Sequence, residues 1–114
     1  MESRQQTVRG SLAIVMGLEF EWDPRKADEN LKNHGVPFEE GLTVFADPLA
    51  RIFDDPDHST DETREIIIGH SVKQRLLLVS FTERAARVRI IGARRVTKRE
   101  RQDYEQDIKE KSQR

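Results

Sequence analysis

The stretch REIIIGHSVKQRLLLVSFTERAARVRIIGARR, residues 64–95, decides the fold. It holds three runs dense in aliphatic residues: Arg64–Val72, Leu76–Glu83 and Arg87–Arg94. Only Lys73-Gln74-Arg75 and Arg84-Ala85-Ala86 separate them. Parallel neighbours need a crossover of a dozen or more residues, so strands joined by links this short pair antiparallel. The spacing predicts an antiparallel meander.

Upstream, Leu18-Glu19-Phe20-Glu21-Trp22 alternates with period two and reads as a further strand. Asp23-Pro24 follows, an N-cap residue and then proline at the first helical position, which opens a helix through Ala27 and Leu31 to His34. Gly35 can adopt the left-handed conformation that ends it. Phe38, Leu42 and Phe45 fall at i, i+4 and i+7, which predicts a second short helix ending near Asp47-Pro48. Leu49–Phe53 is a weaker strand signal running into the turn-rich Asp54–Asp61. Downstream, Thr97-Lys98-Arg99-Glu100 has the form of a capping box and opens a helix over 98–111, with Tyr104 and Ile108 as its inward anchors. The order is βααββββα, an α+β domain with an antiparallel sheet and a C-terminal helix. Trp22, Phe38, Phe45 and Ile66–Ile68 are expected in one core. Residues 1–15 show no sustained period and are read as a disordered N-terminal extension, with Met16 an alternative start, so that 16–114 forms a single domain.

At 114 residues the chain has room for one domain. Charged residues reach 36%, against roughly 25% in average globular proteins. There is no cysteine, which excludes a disulfide scaffold and a thiol nucleophile. No apolar run approaches the ~18 residues of a membrane span, so the expectation is a soluble, cytoplasmic protein without membrane contact. The net charge of −1 hides a division along the chain. Residues 17–63 carry 4 basic and 13 acidic side chains, whereas residues 64–101 carry 11 basic and 3 acidic. Nine of those eleven are arginine, the side chain suited to two-pronged phosphate contact. Such asymmetry predicts a nucleic-acid face and a separate acidic surface.

His34, His58 and His70 show no metal-ligand spacing, and neither a phosphate-cradling glycine loop nor a nucleophile elbow is present. No metal or cofactor is expected. Acid–base groups and arginines suffice for one reaction class, because RNA brings its own nucleophile, the 2′-hydroxyl. Its cleavage needs in-line positioning, a base, an acid and cations for the developing phosphorane charge. Arg64, Arg84 and Arg94 lie at predicted strand ends and form the expected phosphate-facing set. Glu83 is the expected base, and His58 or Tyr104 the proton donor. Arg75, Arg87, Arg89, Arg95 and Lys98 are the expected further RNA-binding cations. For Arg87 and Arg89 the competing reading is a solvated sheet surface paired to the acidic half. A non-catalytic nucleic-acid-binding module remains the alternative for the whole chain.

An ordered series of motifs over about residues 18–105 resembles the BrnT toxin family. It comprises Phe20-Glu21-Trp22-Asp23-Pro24, Asn30-Leu31-Lys32-Asn33-His34-Gly35-Val36, Phe38-Glu39-Glu40 with Phe45-Ala46-Asp47-Pro48, and Asp57-His58-Ser59. It continues through Thr63-Arg64, Ile66-Ile67-Ile68-Gly69, Phe81-Thr82-Glu83-Arg84, Arg89-Ile90-Ile91-Gly92-Ala93-Arg94-Arg95, and Arg99-Glu100-Arg101 with Tyr104. The resemblance implies a RelE-like microbial ribonuclease fold and a toxin that cleaves RNA and arrests translation. It also implies neutralisation by a BrnA-type antitoxin, through which alone the complex would reach operator DNA. A related toxin scaffold acting on a protein target such as a gyrase is a further alternative. Two positions depart from the family pattern: Gly92 stands where serine is usual, removing a hydroxyl, and Pro37 replaces a small polar residue that would cap the second helix.

Overall fold

The computed structural model describes residues 13–15, 17–55 and 63–112. Strand β1 (Ala13–Val15) forms a hairpin with β2 (Leu18–Glu21). Helix α1 (Pro24–His34) and the single turn α2 (Phe38–Gly41) follow, and α2 tightens into a 3₁₀ turn over Leu42–Ala46. Strands β3 (Arg51–Asp54), β4 (Glu65–His70), β5 (Leu76–Arg84) and β6 (Arg87–Arg95) then lead into helix α3 (Lys98–Ser112). The expected α+β order is present, with one addition. Ala13–Val15 fall inside the stretch read as a disordered extension, yet they pair with β2; residues 1–12 lie outside the described residues.

The local signals act as anticipated. The Asp23 carboxylate accepts from the Arg25 N–H at 2.9 Å, and Gly35 ends α1 at φ 70°. The Thr97 hydroxyl and the Glu100 carboxylate exchange reciprocal bonds with each other's backbone N–H, 3.1 and 2.8 Å, closing the capping box. Pro37 caps α2 with no side-chain bond.

The sheet runs β1-β2-β6-β5-β4-β3. Its meander β3 to β6 is antiparallel throughout, but β2 lies parallel to β6, with Glu19, Phe20 and Glu21 opposite Arg87, Val88 and Arg89. Chain proximity could not have indicated that pairing, because α1 and the whole meander intervene. Between Ser80 and Phe81 the β5–β6 register slips, from Gly92 opposite Ser80 to Ile90 opposite Phe81, leaving Ile91 as the extra residue. Ala85 and Ala86 make the β5–β6 turn at φ 47° and 70°, a left-handed conformation costly for residues with a Cβ.

The sheet has two covered faces. One buries Phe20, Ile67, Leu77, Val79, Phe81, Val88 and Ile90 beneath Val36, Phe38, Leu42 and Val44. Asn30 stitches α1 to this face: its side-chain amide donates to the carbonyls of Val36 (2.9 Å) and Ala93 (2.7 Å), and its oxygen accepts from Ala93 N–H. On the other face α3 sets Tyr104 on Ile68, Leu76 and Leu78, with Ile66, Val96 and Ile108 packed alongside. The single core expected for Trp22, Phe38, Phe45 and Ile66–Ile68 is therefore divided. Strand alternation sends Ile67 to the first face and Ile66 and Ile68 to the second, while Phe45 packs against the first at its margin.

Candidate active site: an arginine-lined cleft

Because β4 and β5 run antiparallel, the start of β4 and the end of β5 meet at one end of the sheet. The Thr82 hydroxyl donates to the Thr63 carbonyl at 2.7 Å, which fixes the entry of β4 against β5 and so locates Arg64. Beside it stand Arg84, which ends β5, and Arg89 of β6. The first turn of α1 closes the site with Asp23 and Lys26. Together with Ile90 and Ile91 these residues line a cleft of about 180 Å³. Four cations from four parts of the chain line it together with the Asp23 carboxylate. The residues sharing its wall include Ile91, the extra residue of the bulge, which fits the tendency of bulges to re-aim side chains beside sites. Such an arrangement can grip a phosphodiester and stabilise added negative charge on it.

Of the residues singled out in the sequence, Arg64, Arg84 and Arg89 are brought together and the others are not. Arg94 reaches Glu100 with both guanidinium nitrogens, 2.8 and 2.9 Å, on the α3 face. That contact, with the Thr97 N–H, holds the Glu100 carboxyl down to about 2. Arg94 clamps α3 to the sheet. Arg75 does a similar task at the far end: it grips the buried Glu40 with two nitrogens and donates to the Gly35 carbonyl. Its guanidinium holds the Glu40 carboxyl below its ordinary range against the opposing effect of burial, assisted by the Ser71 hydroxyl at 2.6 Å. Arg87 bonds Glu19 at 2.9 Å and lies 3.4 Å from Glu21, which also approaches Arg89 at 3.3 Å. Arg87 and Arg89 thus both stand opposite acidic residues of β2, and Arg89 also lines the cleft.

Tyr104 is 4% exposed, its hydroxyl donating to the Leu49 carbonyl at 3.3 Å; burial first, and then the Asp47 charge, push its pKa up. It is a packing residue, away from the cleft. Glu83 lies opposite Val88, whose side chain is in the core, so alternation directs it to the other face from Arg84, and it does not line the cleft. Arg95 and Lys98 are exposed at the β6–α3 junction, also outside it. His58 lies outside the described residues. Lys26 and Asp23 were missed: an exposed lysine in a first helical turn carries no sequence mark, though Asp23 had been identified as the cap. At Gly92 a Cβ would sit 3.7 Å from Asn30 Oδ1 and 3.8 Å from Ser80 Oγ, ordinary contact, so the usual serine would fit and glycine is not a steric requirement. Among the described residues no helix is long and apolar enough to cross a membrane.

Comparison with known proteins agrees with this architecture. The solved structure of the ribonuclease toxin BrnT of Brucella abortus is similar, with a TM-score of 0.52 at 20% identity, covering 68% of this chain and 94% of that one. At that identity the likeness speaks to the fold. No curated protein matches the chain in sequence. Residues 22–100 match the family model described as the ribonuclease toxin BrnT of type II toxin–antitoxin systems. That span holds α1, every strand of the meander and all residues of the cleft, and on it the chain belongs to the BrnT family of ribonuclease toxins.

Proposed function

We propose that the chain is a metal-independent endoribonuclease that cuts RNA within the cleft and thereby arrests translation in the cytoplasm. The convergence of Lys26, Arg64, Arg84 and Arg89 carries this reading, since it supplies from side chains the charge stabilisation that phosphoryl transfer requires. In the reaction the RNA 2′-oxygen attacks the adjacent phosphorus while its proton passes to a base. The 5′-oxygen leaves with a proton, and a 2′,3′-cyclic phosphate remains. The cations hold the phosphate in line and take up the phosphorane charge. Asp23 is the carboxylate of the cleft and replaces Glu83 as the base. Membership of a type II toxin–antitoxin family entails an antitoxin partner. Here that partner is a BrnA-type protein, and the complex reaches operator DNA through it.

The test is purified chain on naked RNA in EDTA, with product ends analysed. Cyclic phosphate ends, and a ~10²–10³-fold rate loss in folded Arg64→Ala and Lys26→Ala proteins, are expected by analogy with deletion of single oxyanion stabilisers. Activity abolished by EDTA and restored by magnesium, or tight RNA binding without cleavage, would overturn the mechanism.

A further inference from the structure

The free edge of the sheet carries a second surface. Strand β3 closes the sheet order, and among the described residues no strand pairs with its outer side. Edge strands are normally blunted by charge or proline. The two central residues of β3, however, are Ile52 and Phe53, 55% and 36% exposed, and Leu49 just before them is 52% exposed. By alternation Phe53 sits on the α3 side. There it borders a groove of about 220 Å³ whose apolar wall is Ile66, Ile68, Leu78 and Tyr104 and whose polar residues are Asp54, Glu100 and Asp103. Arg51 bonds Asp107 at 2.8 Å and fastens β3 to α3, so the groove is a fixed feature. Its volume is below that of a typical small-molecule site but takes one large apolar side chain.

We propose that this edge receives an extended segment of a partner protein, added as a seventh strand, with an apolar side chain in the groove and lysine or arginine two residues away on the same face. The backbone of β3 offers the hydrogen-bonding edge, and alternate side chains of an added strand project toward α3 at the groove mouth. The polar residues of the groove are all acidic. Glu100 is already engaged by Arg94, while Asp103 meets only the largely exposed Arg99 at 3.6 Å, a solvent-screened contact that an incoming cation can replace, so Asp54 and Asp103 select a cationic segment. A second copy of this chain suits the edge poorly. In an antiparallel pairing, residues directly opposite share a face. Centring on Phe53 sets Ile52 against Asp54, and centring on Ile52 sets Arg51, whose guanidinium is already bonded to Asp107, against Phe53; neither offers an uncommitted cation to the groove. The surface shares no lining residue with the arginine cleft, so it stands or falls separately from the RNA-cleaving reading.

The experiment uses the full chain and two amidated heptapeptides that set their charges on the same face as a central leucine, Thr-Lys-Thr-Leu-Thr-Lys-Thr and Thr-Glu-Thr-Leu-Thr-Glu-Thr. Anisotropy measures affinity and amide hydrogen exchange locates the contact. The lysine peptide should bind, protecting the Ile52 and Phe53 amides at least tenfold. Phe53→Lys should weaken it at least tenfold, and so should the double variant Asp54→Lys/Asp103→Lys, which leaves the apolar surface alone. Val72→Lys, at an exposed apolar residue of the opposite β4–β5 turn, should leave it unchanged, and RNA cleavage by Phe53→Lys should stay at the parental rate. Equal binding of the glutamate peptide, protection elsewhere than β3, no binding of either peptide, or sedimentation showing that the edge is filled by a second copy would each overturn the proposal.

Discussion

Replacing Glu100 by Gln separates structural from catalytic duty at Arg94. Glutamine keeps the length of the side chain and can still complete the capping box, so the change removes chiefly the charge facing Arg94. In the folded protein the Glu100 carboxyl is held at about 2, against an ordinary value of 4.5, first by the Arg94 guanidinium, with burial opposing and the Thr97 backbone assisting. A fall of about 2.5 in pKa corresponds to about 3.4 kcal/mol at ~1.36 kcal/mol for each step of one. Arg94 and Glu100 remain 36% and 27% exposed, however, and solvent screening reduces such pairs to about 1 kcal/mol. At neutral pH the variant should melt about 4–8 °C lower. Because the folded pKa is depressed, the stabilisation is complete above about 4.5 and is lost as the pH falls toward about 2. The gap between the two proteins should therefore be constant above pH 5 and close below it. Urea unfolding followed by fluorescence of Trp22, the single tryptophan, at pH 7, 5, 3 and 2 reads it directly. Arg94→Ala should cost a similar amount, the double variant little more, and all three should cleave RNA at the parental rate per folded molecule. A gap that persists unchanged at pH 2, or a ~10²-fold rate loss in folded Arg94→Ala, would refute the reasoning and return Arg94 to the site.

Phe45→Ala should cost about 3 kcal/mol, the low end for phenylalanine because the ring is only partly buried; it removes edge contacts at 5.0 Å to both Phe20 and Phe81, and the melting temperature checks it. Ala86→Gly should stabilise by up to ~1 kcal/mol, since φ 70° strains an alanine and not a glycine; unchanged or lowered stability in urea would contradict the turn geometry. Arg75→Ala should lower the melting temperature by stranding the buried Glu40 carboxylate, yet leave the salt dependence of RNA binding as it was. Arg84→Ala should instead reduce that slope by about 0.7–0.9, the contribution of one phosphate contact, in a titration of affinity against salt.

Where a feature depends on a few neighbouring residues, the sequence displays it. Asp23-Pro24, Gly35 and the Thr97–Glu100 box mark helix ends by chemistry that acts within four residues, and the short links of the meander leave antiparallel pairing as the only option. The parallel contact of β2 with β6 was hidden because it joins residues 68 apart, such as Glu19 and Arg87. A signal for it existed: Glu19 and Glu21 on one strand and Arg87 and Arg89 on another share period two, the pattern that cross-strand ion pairs require. The same long-range pairing decides where the arginines go. Acidic and basic residues are segregated along the chain, which suggested two separate surfaces, but folding interleaves them. Glu19 and Glu21 meet Arg87 and Arg89, Glu40 meets Arg75, and Asp107 meets Arg51. An arginine's role is therefore set by whether the fold brings a carboxylate opposite it. Part of the positive charge that the sequence advertises over residues 64–101 gathers at the cleft, where Arg64, Arg84 and Arg89 line one wall with Lys26 and Asp23. A phosphodiester is the anion that such an imbalance is suited to hold.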